Sequence, residues 1–173
     1  MRKILIFIVI TIFILLISFT VYGIFIKTMK KENNEKSISR LPSFSFITLE
    51  GNSFDSRTIF EGPVLIVRFH PECDHCSYEI SQIMKSKIHE SCGKILFVTS
   101  AEMNDVVRFM SQFETSEKGG VITLLDTSSV FNNIFGKDVI PSNYIYNKRL
   151  ELVKALYGEY KTETILKYLN ANE

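Results

Sequence analysis

The run VLIVRF at residues 64–69 constrains the fold more than any other stretch of this chain. It is apolar at nearly every position, as a strand is when both of its faces are covered. HPECDHCSYE follows directly, and Cys76, Ile80, Ile83, Met84 and Ile88 recur at helical spacing, which predicts a helix over about 73–89. A buried strand that delivers the chain into an amphipathic helix is the building unit of an α/β fold. The unit comes again: KILFVTS at 94–100 reads as a second buried strand, and Met103, Val106, Val107, Met110 and Phe113 mark a second amphipathic helix.

Farther on, VITLLD (121–126) reads as a strand and SSVFNNIFG as a short helix closed by Gly136. SNYIYNKRLELVKALYG (142–158) reads as two strands around an Asn147-Lys148-Arg149 turn, and KTETILKYLNA as a closing helix. Ahead of the first buried strand, LPSFSFITLEGNSFD (41–55) alternates and turns at Gly51-Asn52, which predicts a β-hairpin. The expected domain, residues 41–173, is an α/β sandwich with a mixed sheet. Its core is large enough to fold without disulfides, which leaves the cysteines free for chemistry.

The front of the chain is of another kind. Ile4 to Ile26 is 23 residues without a charge, long enough for one transmembrane helix, with Arg2 and Lys3 before it and Lys27, Lys30 and Lys31 after it. We read residues 1–26 as an uncleaved signal-anchor and 27–40 as a polar linker. A cleaved signal peptide competes, since Val21 and Gly23 offer a weak small-residue site, but its apolar region is usually shorter. The absence of a cysteine just after the run speaks against lipid attachment. Beyond Ile26, 18 basic residues face 19 acidic ones, a balance with no electrostatic footprint for nucleic acid.

Cys73 and Cys76 stand two residues apart, with Asp74 and His75 between them. A c-type haem tether needs histidine after the second cysteine, and Ser77 stands there. A zinc site needs a second ligand pair, and Cys92, His70 and His89 are not paired at finger spacing. A static disulfide closing so short a loop removes little unfolded-state entropy. A redox pair fits better. Cys73 would open the helix, where unpaired N–H groups and the positive dipole end draw a thiol pKa of about 8.5 toward neutral. Cys76, one turn along, would resolve the mixed disulfide that Cys73 forms.

LPSFSF, GNSFDS, FEGPVLIVRFHPECDHCSYE and FGKDVIPSNYIYNKRLELVKALYG together resemble the membrane-anchored, TlpA/ResA-like branch of the thioredoxin superfamily, over most of residues 41–170. The resemblance implies a thioredoxin-like fold with an N-terminal β-hairpin extension. It also implies thiol-disulfide oxidoreductase activity without a cofactor or metal, outside the cytoplasm at a bacterial inner membrane. It implies protein thiol or disulfide substrates and a membrane or extracytoplasmic redox partner. Pro141 is then the cis-proline that sets the Ile140 backbone beside the cysteines to bind substrate, and Glu79 matches a glutamate that ResA-like members carry three residues after the second cysteine. Glu79 borders the buried helix face, so it is the expected proton acceptor. His75 and Asp74 are expected to tune the redox pair.

The chain departs from the family in two places. Glu72 stands where an aromatic residue is usual, and Val67 stands where a cytoplasmic thioredoxin buries an Asp. Two rival readings use the same scaffold. A peroxiredoxin-like thiol peroxidase needs Thr or Ser three residues before its reactive cysteine, where this chain has His70. A copper or zinc chaperone would use the cysteines as ligands. Cys92 reads as a packing thiol, and Tyr78 as a surface or groove residue.

Overall fold

The computed structural model describes residues 6, 13–23, 25, 36–113 and 120–171. The chain divides into two compact units, Met1–Ser37 and Ile38–Glu173. In the first, residues 13–23 are helical (α1), with Phe13, Leu15 and Phe19 among its exposed apolar side chains. Parts of both the expected membrane-spanning segment and the expected linker lie outside the described residues. Among the described residues no helix is long and apolar enough to cross a membrane.

The second unit carries the strands β1 (Ser45–Thr48), β2 (Ser53–Asp55), β3 (Val64–Arg68), β4 (Lys94–Thr99), β5 (Val121–Leu125), β6 (Ser142–Tyr146) and β7 (Leu152–Tyr157). Its helices are α2 (Asp74–Lys85), α3 (Ile88–Ser91), α4 (Met103–Met110), α5 (Phe131–Phe135) and α6 (Thr162–Asn170). All seven strands form one sheet in the order β2-β1-β5-β4-β3-β6-β7. β3, β4 and β5 are parallel, and the other pairings are antiparallel. The expected mixed sheet and its leading hairpin are both present.

The apolar run of β3 is explained by its neighbours. Leu65, Val67 and Phe69 point into a core closed by α2, α3, α4 and α6, while Val64 and Ile66 point into another closed by α5 and residues from Ile38 to Ile59. A period of two along a strand covered on both sides leaves almost no position for a polar residue. Arg68 is the exception: its Nη2 donates to Ser100 Oγ at 2.9 Å and its guanidinium lies 5.2 Å from the Phe131 ring centroid.

One expected element is corrected. The helix predicted over 73–89 breaks after Lys85 into α2 and α3. Ser86 adopts an extended backbone, its hydroxyl donates to Ile83 O at 2.7 Å and it accepts from Ile88 N at 3.2 Å. A serine that bonds the neighbouring backbone ends one helix and starts the next without disturbing the apolar spacing, so periodicity alone runs through the break.

Candidate active site

α2 starts where the chain leaves the C-terminal end of β3. Cys73 is its N-cap, with extended φ and ψ of −98° and 109°, and its Sγ accepts from Cys76 N at 3.2 Å. Cys73 is partly buried and Cys76 fully so. The two form a disulfide with a Cα–Cα distance of 5.2 Å. The backbone donor at the Cys73 sulfur, added to the dipole of a 12-residue helix, favours negative charge on that atom and not on its partner.

Glu79 follows one turn after Cys76 and is 1% exposed. Its Oε1 accepts from Asn143 Nδ2 and from Tyr160 N, each at 2.9 Å, while Oε2 is buried with no partner among the described residues. Burial pushes the Glu79 carboxyl up to about 7, against the pull of the two donors, and nearby Glu159 adds repulsion. A carboxyl poised near neutrality can take up or release a proton under ordinary conditions.

The Ile140–Pro141 bond is cis. Ser142 pairs with Arg68, so Pro141 sits at the same sheet end as the loop that carries Cys73. Ile140 is 41% exposed beside that loop's end of the sheet, and Pro141 is buried. A second cis bond, Gly62–Pro63, precedes β3.

The expected tuning residues divide. Asp74 is exposed in the first turn of α2, where its charge complements the helix dipole. With Ser77, Tyr78, Ser81, Gln82 and Phe113 it lines an open cavity of about 920 Å³, which puts Tyr78 on a groove. His75 turns the other way, and its Nδ1 lies 2.6 Å from Glu159 Oε2. The hydrogen-bond partner of that ring nitrogen is thus a carboxylate, not the Cys73 sulfur.

The other sulfur and imidazole groups stand apart from this arrangement. Cys92 is a free, buried thiol in the core under α2, and burial pushes it up to about 12. His70 Nδ1 accepts from Glu72 N at 3.3 Å, and His89 Nδ1 lies 3.1 Å from Ser86 O. Among the described residues no three His, Cys, Asp or Glu side chains group to hold a metal ion. Replacing Cys92 with serine should leave any chemistry at Cys73 unchanged and lower the unfolding midpoint, as a denaturation curve would read.

Three residues of the site were not anticipated. Asn143 is fully buried in β6 and carries half of the hydrogen bonding to Glu79. A lone amide inside the apolar run YIY and its flanks was the signal, since a buried polar side chain needs a partner. Glu159 and the Tyr160 backbone carry no comparable mark, because a glutamate after a glycine reads as an exposed turn.

The chain matches no protein-family model and no curated protein. Solved structures are similar to it. DsbF of Mycobacterium tuberculosis, in its mixed oxidised and reduced forms, superposes with a TM-score of 0.66 at 15% identity, covering 78% of this chain and 96% of that one. A secreted disulfide oxidoreductase of the same organism, homologous to DsbE of Escherichia coli, gives 0.65 at 14% identity, over 79% and 98%. The peroxidoxin BcpB of M. tuberculosis gives 0.63 at 12% identity, over 78% and 96%. The fold is thioredoxin-like.

Proposed function

We propose that the chain is a thiol-disulfide oxidoreductase that exchanges disulfides with protein substrates through Cys73 and Cys76, with no cofactor. The observation that carries this reading is the asymmetry of the pair: one sulfur capping a helix and partly open, the other buried, one helical turn before a buried carboxyl. In the reducing direction the Cys73 thiolate attacks a substrate disulfide, forming a mixed disulfide and releasing one substrate thiolate. Glu79 accepts the Cys76 proton, and the Cys76 thiolate attacks the Cys73 sulfur. The second substrate sulfur leaves, and two electrons have passed from the chain to the substrate. A dithiol partner returns the Cys73–Cys76 disulfide to the reduced state, and the opposite flow runs the same steps backwards. Ile140 and Pro141 are the place for an extended substrate segment. Assay of insulin disulfide reduction by the reduced full chain tests the reading, and a rate no higher than that of free dithiol would overturn it.

The likeness to the secreted oxidoreductase supports an extracytoplasmic site of action, and the apolar run Ile4–Ile26 supports anchoring to a bacterial inner membrane. An alkaline phosphatase reporter fused after Glu173 should then be active. Activity of a reporter that works only in the cytoplasm would sink the topology.

The likeness to a peroxidoxin supports a second reading, thiol peroxidase. His70 stands where peroxide chemistry uses a Thr or Ser hydroxyl; an imidazole has no hydroxyl to supply, and its Nδ1 accepts from Glu72 N. Consumption of hydrogen peroxide by the reduced chain, faster than by free thiol, would favour this rival.

A further inference from the structure

Gly158, Glu159 and Tyr160 follow one another between β7 and α6, and each touches a different part of the redox site. Gly158 N donates to Pro141 O at 2.9 Å. Glu159 Oε2 lies 2.6 Å from His75 Nδ1, between the two cysteines. Tyr160 N donates to Glu79 Oε1 at 2.9 Å. Gly158 turns the chain at φ 97°, a backbone that residues with a Cβ rarely adopt, and this lets the three contacts diverge. The Tyr160 side chain packs against the core under α2.

We propose that Glu159 is a positioning residue for the redox site: by holding His75 it fixes the loop that aims the Tyr160 N–H at Glu79. This rests on the reading of Cys73, Cys76 and Glu79 given above. An ion pair this exposed adds little to global stability, with side chains 77% and 33% accessible. Its value is geometric. A single carboxylate ties the inter-cysteine turn of α2 to the loop whose next residue supplies one of the two donors on the proton acceptor. The groups acting on Glu79 are Asn143 from β6 and Glu159 and Tyr160 from the loop, and Cys76 precedes it by one turn on its own helix. Movement of the loop therefore changes two of the influences on Glu79 together.

The test uses the full chain and the variants Glu159→Ala, Glu159→Gln, His75→Ala and the His75→Ala/Glu159→Ala pair. The first readout needs no activity: hydrogen exchange of the Tyr160 amide and the NMR titration of the Glu79 carboxyl. Glu159→Ala and His75→Ala should each speed Tyr160 exchange by about tenfold or more, as local opening does when one tether is cut. Glu159→Gln still accepts a hydrogen bond from His75, so it should keep the amide protected while its lost charge shifts the Glu79 titration downward. The second readout is the rate of disulfide exchange. The double variant should be no slower than either single one, because both cut the same tether. Unchanged Tyr160 protection in Glu159→Ala, or rate losses that multiply in the double variant, would overturn the proposal. If the amide responds as expected but the wild-type chain exchanges no disulfides, the tether stands and the oxidoreductase reading falls.

Discussion

Cys73→Ser should lower the rate of disulfide exchange by at least about a thousandfold, because in the proposed reaction Cys73 is the sulfur that attacks the substrate. Cys76→Ser has the opposite signature. Attack proceeds, release does not, and a mixed disulfide through Cys73 accumulates to one adduct per chain. The difference follows from the helix start: the Cys76 N–H points at the Cys73 sulfur, while the Cys76 sulfur is closed off from substrate. Cys92 does not stand in for either. Its thiol is held neutral by burial, and a neutral thiol is a poor nucleophile. Incubation of each variant with a disulfide-bonded protein, followed by mass spectrometry of the adduct, reads all three outcomes. An adduct on Cys76 or Cys92 in place of Cys73 would reverse the assignment.

Glu79→Gln separates chemistry from stability, with opposite signs. The amide keeps the carbonyl oxygen that Asn143 and Tyr160 bond, but it cannot take up the Cys76 proton. Exchange near neutral pH should slow by about 10- to 100-fold, the range expected when a positioned general base is lost. Stability should move the other way. The carboxyl is raised from 4.5 in the unfolded chain to about 7 in the fold, so its contribution is fully present below pH 4.5 and is lost as the pH rises through 7. The wild-type chain therefore carries, at pH 8, a buried charge that glutamine removes. A shift of that size sets a ceiling of about 3 kcal/mol on the gain, at 1.36 kcal/mol per unit. The glutamine NH2 takes the place of Oε2, which has no partner among the described residues, so the gain falls below the ceiling. Urea denaturation at pH 4 and pH 8 tests this: near equality at pH 4 and a more stable variant at pH 8 are expected. A variant less stable at pH 8 would remove the case for a buried, high-pKa Glu79.

The fold was legible because β3, β4 and the amphipathic faces of α2 and α4 write their burial into the spacing of apolar residues. The helix break at Ser86 was not, since Ile83, Met84 and Ile88 keep the same face on either side of it. At the site, the Cys73–Cys76 spacing is local and could be read directly, and Glu79 is one helical turn away. What completes the site is distant in sequence. Asn143 lies 64 residues from Glu79 and Tyr160 lies 81, and the Tyr160 contribution is a backbone N–H that any residue but proline supplies. No side-chain signature exists for a backbone donor. Glu159 reaches His75 across 84 residues by a contact that only the β7–α6 turn creates.

The two ends of the sheet bear on the company such a chain keeps. A protein that handles the disulfides of incompletely folded chains meets extended segments with unpaired amide and carbonyl groups, which add readily to any open strand. β2, one border, is only three residues long and runs at once into a 3-10 turn. β7, the other, is engaged where it begins: Leu152 N donates to Ser39 O and Leu41 N donates to Leu150 O, each at 2.8 Å, and Lys154 is exposed along its length. Both borders are thus poor templates for strand addition. Under the proposed function, partners would be left to meet the chain at the cysteine end and to part from it once their sulfurs were exchanged, without being recruited into a growing sheet.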